Sequence, residues 1–337
     1  MTRALVTGAT GFIGHHLVKR LDQLGVEVTC LVRQTSDLSR LAPYNPRCFV
    51  GDVTDATSVL RATEGIDWVF HLAGSTKALR RKNMATVNVH GAHNVAQACS
   101  QQDNPPIVVS VSSLAACGPS TIGNPLTELS KPRPLSNYGR SKLAGERAMT
   151  VFADRIPLTI IRPPIVLGED DGDGFQIFAP IHKYGIHIVP TWRDHEFSLM
   201  HADDLSSAIV SAAEKGQRSS CDPLDSSGTY FATSDQIVTY ADLGQLIGQI
   251  LGRRHTRLVY LPSPLLWPIG FVSGMAGQLR RRPAILNLDK IREAVGGSWS
   301  CLDNQLRNDT GYRPVKPLDQ RLAQTAEWYF EHGWLKR

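Results

Sequence analysis

The sequence predicts an α/β protein: a doubly wound parallel β-sheet with helices on both faces and a smaller C-terminal region. Three observations predict it. Short apolar runs alternate with helical patterns over about the first 160 residues, the rhythm of a layered α/β sheet. The strand-like runs are continuously apolar, as strands buried on both faces must be. The first of them runs straight through three glycines into a helix. A length of 337 residues exceeds most single cores and leaves room for an appended region.

The elements follow in order. ALVT leads into HHLVKRLDQLG, where Gly25 is a good helix stop. VEVTCLV and RCFVGD are the next strands. DWVFHLAG precedes a helical stretch from about Asn83 to Gln102. IVVSVSS precedes a Pro- and Gly-rich loop, then a helix carrying Tyr138 and Lys142, then LTIIRPP. After Pro164 the rhythm changes. GEDDGDG reads as a solvated acidic loop near the mouth of a site, without the spacing or terminal Glu of a calcium-binding EF-hand. HEFSLMHADDLSSAIVSAAEK reads as a strand and an Asp-capped helix that return to the main sheet. A helix capped by Thr239 and an amphipathic helix starting after Pro317 complete the chain. The division is therefore a dinucleotide-binding domain over 1–165, rejoined by residues about 195–215, and a smaller, discontinuous substrate-binding domain over 166–337.

Composition excludes several classes of function. The hydrophobic share is 42% and the charged share 20%, ordinary for a globular protein. A net charge of +5, with one dense basic block at Arg280-Arg281-Arg282, gives no reason to expect nucleic acid. Six cysteines are scattered without a C-x-x-C pair and no H-E-x-x-H occurs, so neither a metal site nor a disulfide framework is expected, and a reducing cytoplasm fits. Strand-like residues begin almost at the N-terminus, which speaks against a signal peptide there. The most apolar stretch, 258–279, is broken by prolines and glycines and does not read as a membrane span.

The glycine turn, TGATGFIG, carries Gly8, Gly11 and Gly14 between a strand and a helix, with Thr10, Phe12 and Ile13 among them. Glycines let the backbone approach a pyrophosphate, and a helix N-terminus offers free N–H groups to it. The spacing is G-x-x-G-x-x-G rather than G-x-G-x-x-G. At the end of the second strand, where NAD enzymes place an acid on the ribose 2′-hydroxyl, stands Arg33. A guanidinium suits a 2′-phosphate, so NADP(H) is favoured over NAD(H). Asp52 and Val53 follow the third strand, where Asp52 either faces the adenine or is an ordinary strand-end turn residue, and Leu72, Ala73 and Gly74 follow the fourth.

Tyr138 and Lys142 are four residues apart and share a helix face. Alone, the pair is as consistent with a surface tyrosine and a solvated lysine as with chemistry. Beside a cofactor, an ammonium lowers a phenol's pKa from near 10 and lets it act as a general acid or base.

TGATGFIG, GDVTD, HLAG, NVHGAHNV, VSVSSLAACG, YGRSK and IIRPP occur in the order found in the extended short-chain dehydrogenase/reductase superfamily, which this chain resembles from residue 3 to about 210. Among its branches the sequence is most similar to the dihydroflavonol-reductase and 3β-hydroxysteroid-dehydrogenase group. The resemblance implies a Rossmann-type fold and adds roles. Of two available serines, Ser112 and Ser113, the family position five residues before Gly118 selects Ser113 to hold the substrate oxygen. Lys142 would hold the nicotinamide ribose as well as lower the pKa of Tyr138. Asn88 is either a proton-relay residue or one that satisfies backbone groups. Pro163, Pro164 and Ile165 would lie near the nicotinamide ring. Cys117 replaces a common aromatic, which alters pocket shape rather than chemistry.

The resulting expectation is an NADP-dependent ketone reductase or secondary-alcohol dehydrogenase for an apolar small molecule. Leu114-Ala115 stands where sugar dehydratases carry Asp-Glu, and the apolar stretch from Leu261 to Phe271 suits an apolar substrate better than a diphosphate sugar. The rivals are a nucleotide-sugar epimerase with the same Ser-Tyr-Lys site and a non-catalytic dinucleotide-sensing regulator. Leu265 to Arg282 reads as a lid with a solvated basic end, or as a peripheral membrane contact. A homodimer through the two long helices is common in the superfamily.

Overall fold

The computed structural model describes residues 1–76, 84–191, 195–222, 225–262, 264–268, 270, 273 and 288–337. The first half forms β1 (Arg3–Thr7), α1 (Phe12–Gln23), β2 (Glu27–Val32), β3 (Arg47–Val50), α2 (Ala56–Ala62), β4 (Trp68–His71), α3 (Ala92–Ser100), β5 (Ile107–Val111), α4 (Asn137–Thr150) and β6 (Leu158–Arg162). The second forms β7 (Ile165–Leu167), α5 (Gly172–Tyr184), β8 (Ile186–Val189), β9 (Glu196–His201), α6 (Ala202–Lys215), β10 (Thr229–Phe231), β11 (Ile237–Thr239) and α7 (Tyr240–Ile250). It ends with β12 (Arg257–Tyr260), α8 (Leu288–Val295), α9 (Asn304–Thr310) and α10 (Leu318–Glu331).

Seven strands make one parallel sheet in the order β10-β6-β5-β4-β1-β2-β3. The direction of winding reverses between β1 and β4, and ligands of open α/β sheets bind outside the strand ends at such a point. Side chains alternate along a strand. Ala4 and Val6 therefore pack with Leu17, Leu21, Leu205 and Ile209 of α1 and α6. Leu5 packs the opposite way, with Val59, Val95 and Met149 of α2, α3 and α4. Helices thus cover both faces, the doubly wound architecture that the sequence predicts.

A third core joins α5, α7 and α10 through Phe178, Ile181, Leu243, Ile247, Leu322 and Tyr329. Thr239 caps α7 with a full capping box, and α10 begins after Pro317 as the sequence indicates. All six cysteines are free. Among the described residues, no helix is long and apolar enough to cross a membrane.

Several local expectations are corrected. The helix expected from Asn83, which itself lies outside the described residues, contains a π-helical turn over Thr86–Gly91 before α3. The cap of α6 is His201 rather than an aspartate, because its ring accepts from the Asp203 backbone N–H at 3.2 Å. Its neighbour β9 belongs to a small sheet with β7 and β11, while α6 lies against the main sheet. The seventh strand, β10, is too short at three residues to stand out in the sequence. The acidic segment is not a solvated loop. Asp171 is buried and caps α5, and the Tyr329 hydroxyl donates to its carbonyl. Glu169 pairs with His201 at 3.3 Å. Of the expected membrane-contact stretch, residues 269, 271, 272 and 274–282, including the Arg280–Arg282 block, lie outside the described residues.

Candidate active site

Two segments meet at the reversal point. Gly8 has φ +75°, and a Cβ there would come within 2.7 Å of the backbone of Leu72 and Ala73. The turn therefore lies flat on the HLAG segment, and a Cβ at Gly14 would come within 2.2 Å of the Gly8 carbonyl, so the turn is also tight within itself. Gly11 is the N-cap of α1 and offers no side-chain acceptor. The first N–H groups of the helix, at Phe12, Ile13 and Gly14, therefore have no side-chain partner at the cap, which fits an anion. Thr10 sits beside them and is tied by its carbonyl to Arg40 at 3.5 Å. Arg40 also donates to the Asp170 carbonyl at 3.2 Å and pairs with its carboxylate.

Beneath the turn, the Ala73 N–H donates to Thr7 Oγ1 at 3.2 Å, and Thr7 Oγ1 lies 2.9 Å from His71 Nδ1. Burial drives the His71 pKa down to about 3, with the Lys142 charge adding to it. A neutral ring leaves Nδ1 to accept the Thr7 proton. Thr7 and His71 open the TGATGFIG and HLAG motifs, but sequence reasoning gave neither a role, since their pairing depends on which strand ends lie side by side.

On the adenine side, Arg33 is exposed just past β2, and its guanidinium is engaged by no group among the described residues. The Asp52 carboxylate accepts from the Thr54 N–H and hydroxyl, both at 2.8 Å, and forms a local turn. Val53 is buried against Gly91.

Helix α4 carries the tyrosine and lysine. Ser136 caps it by accepting from the Gly139 N–H at 2.9 Å. Two glycines let it sit close to its neighbours. A Cβ at Gly139 would be 2.1 Å from the Ala115 carbonyl, and one at Gly145 would be 2.2 Å from the Asn88 carbonyl. The helix thereby packs directly on the turn after β5 and on the π turn. Sequence reading had both glycines in view in YGRSKLAGE and did not use them.

The two adjacent serines point to different partners. Ser113 stands beside the Tyr138 hydroxyl, where it favours the phenolate, and accepts from the Ala115 N–H at 3.2 Å. Ser112 is buried, and its hydroxyl donates to Glu146. Glu146 also receives Arg162 Nε at 3.0 Å and Nη2 at 2.6 Å, and Arg162 Nη1 lies 3.1 Å from Cys117 Sγ. Burial pulls the Arg162 pKa down, but Glu146 outweighs it and holds the guanidinium above its usual range.

Lys142 Nζ donates to the Val111 carbonyl at 2.7 Å. Burial lowers its pKa to about 8, against the upward pull of Glu146 one turn on. Tyr138 departs from expectation. Burial among Leu114, Ala115, Cys117 and Phe197 raises its pKa above 10. The Ser113 hydroxyl and the Lys290 charge oppose that rise, and Glu293 adds to it. The Lys142 ammonium does not offset that rise; it donates to the Val111 carbonyl.

Asn88 is buried and fully occupied. Its Oδ1 accepts from the Ser75 N–H at 2.7 Å, and its Nδ2 donates to the Ser75 carbonyl at 3.1 Å and to Ser141 Oγ at 2.8 Å. It ties the segment after Gly74 to the tyrosine helix. A Cβ on Gly74 would lie 3.6 Å from Lys142 Nζ, so Leu72–Gly74 flanks the lysine. The Leu114 N–H donates to the Pro163 carbonyl at 2.8 Å and joins the end of β6 to the serine turn. Pro164 is partly buried beside it and Ile165 is exposed.

Helix α8 reaches the same place from far along the chain. Asp289 accepts from the Asn137 N–H at 2.8 Å and from Asn137 Nδ2 at 3.0 Å. Lys290 Nζ lies 5.9 Å from the Tyr138 ring centre and 2.9 Å from Glu293 Oε2. No sequence motif marked these residues.

Elsewhere, His16, Glu169 and Asp203 bring potential ligand atoms within 4.8 Å of one another. They already form a polar clasp. His16 lies 2.8 Å from Asp203 Oδ1 and 3.1 Å from the Glu169 carbonyl, and Lys19 and Arg321 flank Asp203.

Comparison with known proteins gives the family and the fold. The family model described as NAD dependent epimerase/dehydratase family matches residues 4–221. The ceramide reductase of Caulobacter vibrioides is 26% identical over 98% of this chain and 96% of its own length. The human 3 beta-hydroxysteroid dehydrogenase type 7 is 29% identical over 96% and 94%. The dTDP-glucose 4,6-dehydratase of Bacillus anthracis, solved in complex with NAD, superposes with a TM-score of 0.78 at 15% identity, covering 98% of this chain and 97% of that one.

Proposed function

Since the chain belongs to the NAD dependent epimerase/dehydratase family and is an NAD(P)-dependent oxidoreductase, we propose that it reduces the ketone, or oxidises the secondary alcohol, of an apolar small molecule with NADP(H). One observation carries the reading: Tyr138, Ser113 and Lys142 converge beside a glycine turn whose helix N-terminus lacks a side-chain cap. The residues fit the cofactor. The glycine turn receives the pyrophosphate, Arg33 has a free guanidinium for a 2′-phosphate, and Lys142 and Leu72–Gly74 flank the ribose. When bound, the nicotinamide supplies or accepts the hydride.

The chain's own groups handle oxygen and proton. Ser113 donates a hydrogen bond to the substrate oxygen and fixes its position. Tyr138 gives its hydroxyl proton to that oxygen in reduction and takes it back in oxidation. Ser113 and Lys290 counteract the effect of burial on the phenol, while Lys142 keeps a cation within the crevice. Asn88 and Asp289 hold the helix in place. A homodimer through the long helices belongs to the same proposal.

The apolar substrate is supported by the wall around Tyr138, which includes Leu114, Phe197 and Trp299, and by the names of the two reductase and dehydrogenase relatives. The test follows nicotinamide absorbance with NADPH and a panel of apolar ketones and nucleotide sugars. Steady NADPH loss with a ketone is expected. An isomerised sugar without net redox change would replace this reading with the epimerase. Tight cofactor binding with no turnover of either class would favour the sensor.

A further inference from the structure

The small parallel sheet of β8 and β12 has two unlike faces. The register sets Ile186 opposite Arg257, His187 opposite Leu258, Ile188 opposite Val259 and Val189 opposite Tyr260. His187 and Val189 are buried, so the alternate residues Ile186, Ile188, Arg257 and Val259 point outward. Ile188 is 49% exposed, and Tyr184, at the end of α5 just before β8, is 63% exposed. Soon after β12 comes the helical segment 264–268, where Leu265 is 55% and Trp267 38% exposed. Isolated exposed apolar residues are ordinary on a protein surface. Four large ones on connected segments are not.

The charge around them has one sign. Residues 182–191 and 249–262 include Lys183, Arg253, Arg254 and Arg257 and no Asp or Glu. All four cations are exposed. None forms an ion pair among the described residues. Lys183 lies over the Tyr184 ring at 5.0 Å, and Arg253 donates to the His182 carbonyl. An apolar and aromatic surface whose own segments carry only basic charge complements an interface where hydrocarbon meets anionic headgroups.

We propose that this face docks the protein on an anionic lipid bilayer. The inner side of the same sheet supplies the functional link. The His187 ring packs on Tyr240 with centres 4.8 Å apart, and Tyr240 packs on Phe197 at 5.6 Å. Phe197 belongs to the apolar cluster that includes Leu114 and Tyr138. An apolar wall therefore runs from the docking face to the tyrosine. The inference deepens the proposed function by naming the source of an apolar substrate, and it rests on that reading for this link alone.

The test measures co-sedimentation of the full chain with phosphatidylcholine vesicles, with and without roughly one third phosphatidylglycerol. No substrate is present, so failure here is separable from failure of the reductase reading. Binding to the anionic vesicles is expected to be at least about tenfold stronger and to weaken with salt. Replacing Arg254 and Arg257 together by Gln should cost roughly tenfold or more of that binding. Ile188→Ser with Trp267→Ser should remove the part that survives high salt. Reduction of a water-soluble ketone should be unchanged in the Arg254 and Arg257 variant. Equal binding to both vesicle types, or none, would overturn the proposal. So would a dimer in solution that the Ile188 and Trp267 variants dissolve, which would mark the face as a contact between copies. Vesicle binding by a chain that reduces no ketone would uphold the docking face and overturn the reductase instead.

Discussion

The two ends of helix α4 carry similar residue types in opposite conditions. At its start, Tyr138 stands beside the Ser113 hydroxyl, and Lys142 rests on a neutral carbonyl. At its far end, Glu146 receives two guanidinium nitrogens and the Ser112 hydroxyl, while Arg162 reaches on to Cys117. Adjacent serines feed the two systems. The number of partners, rather than residue type, separates a group free to exchange a proton from one held as structure. A buried pair saturated in this way fixes geometry. A lightly partnered tyrosine beside a crevice can act.

That contrast can be broken in graded ways. Arg162→Met leaves the Glu146 carboxylate buried without its cation and should cost about 3–5 kcal/mol of stability in chemical denaturation. An unchanged midpoint would mean that the far end is not a lock. Ser113→Ala should lower kcat by about 10²–10³ with the melting temperature intact. Ser112→Ala should do the reverse, costing about 1–3 kcal/mol of stability while the folded protein keeps its rate. Similar behaviour of the two would erase the distinction.

Acidity sharpens the contrast further. Lys142 loses its proton near pH 8, and the proposed reduction calls for both its charge and a protonated Tyr138. The reduction rate should therefore be level at neutral pH and fall above about pH 8, and Lys142→Met should remove that inflection. The smallest expected change concerns the cofactor. Arg33→Asp should shift the NADPH-to-NADH preference by roughly tenfold or more, from loss of a charge-assisted contact. An unchanged ratio would remove Arg33 from the account.

What could be read in the sequence divides along physical lines. The main sheet was legible because continuously apolar strands and amphipathic helices repeat, and because Gly8 and Gly14 stand where only glycine fits. The tyrosine helix was legible through its spacing and its resemblance to a family. The Thr7–His71 pair was not, since it depends on which strand ends lie side by side. Lys290 and Asp289 were not, because they come from about 150 residues away in the chain. The direction of the Tyr138 shift was missed for a related reason. Helix spacing puts a lysine nearby but does not show how deeply the phenol is buried.

The most direct test of the central claim compares the wild-type chain with Tyr138→Phe. NADPH binding is measured by fluorescence and ketone reduction by absorbance. The account predicts equal binding and a fall in turnover of about 10²–10⁴. Near-normal turnover in the variant would contradict it.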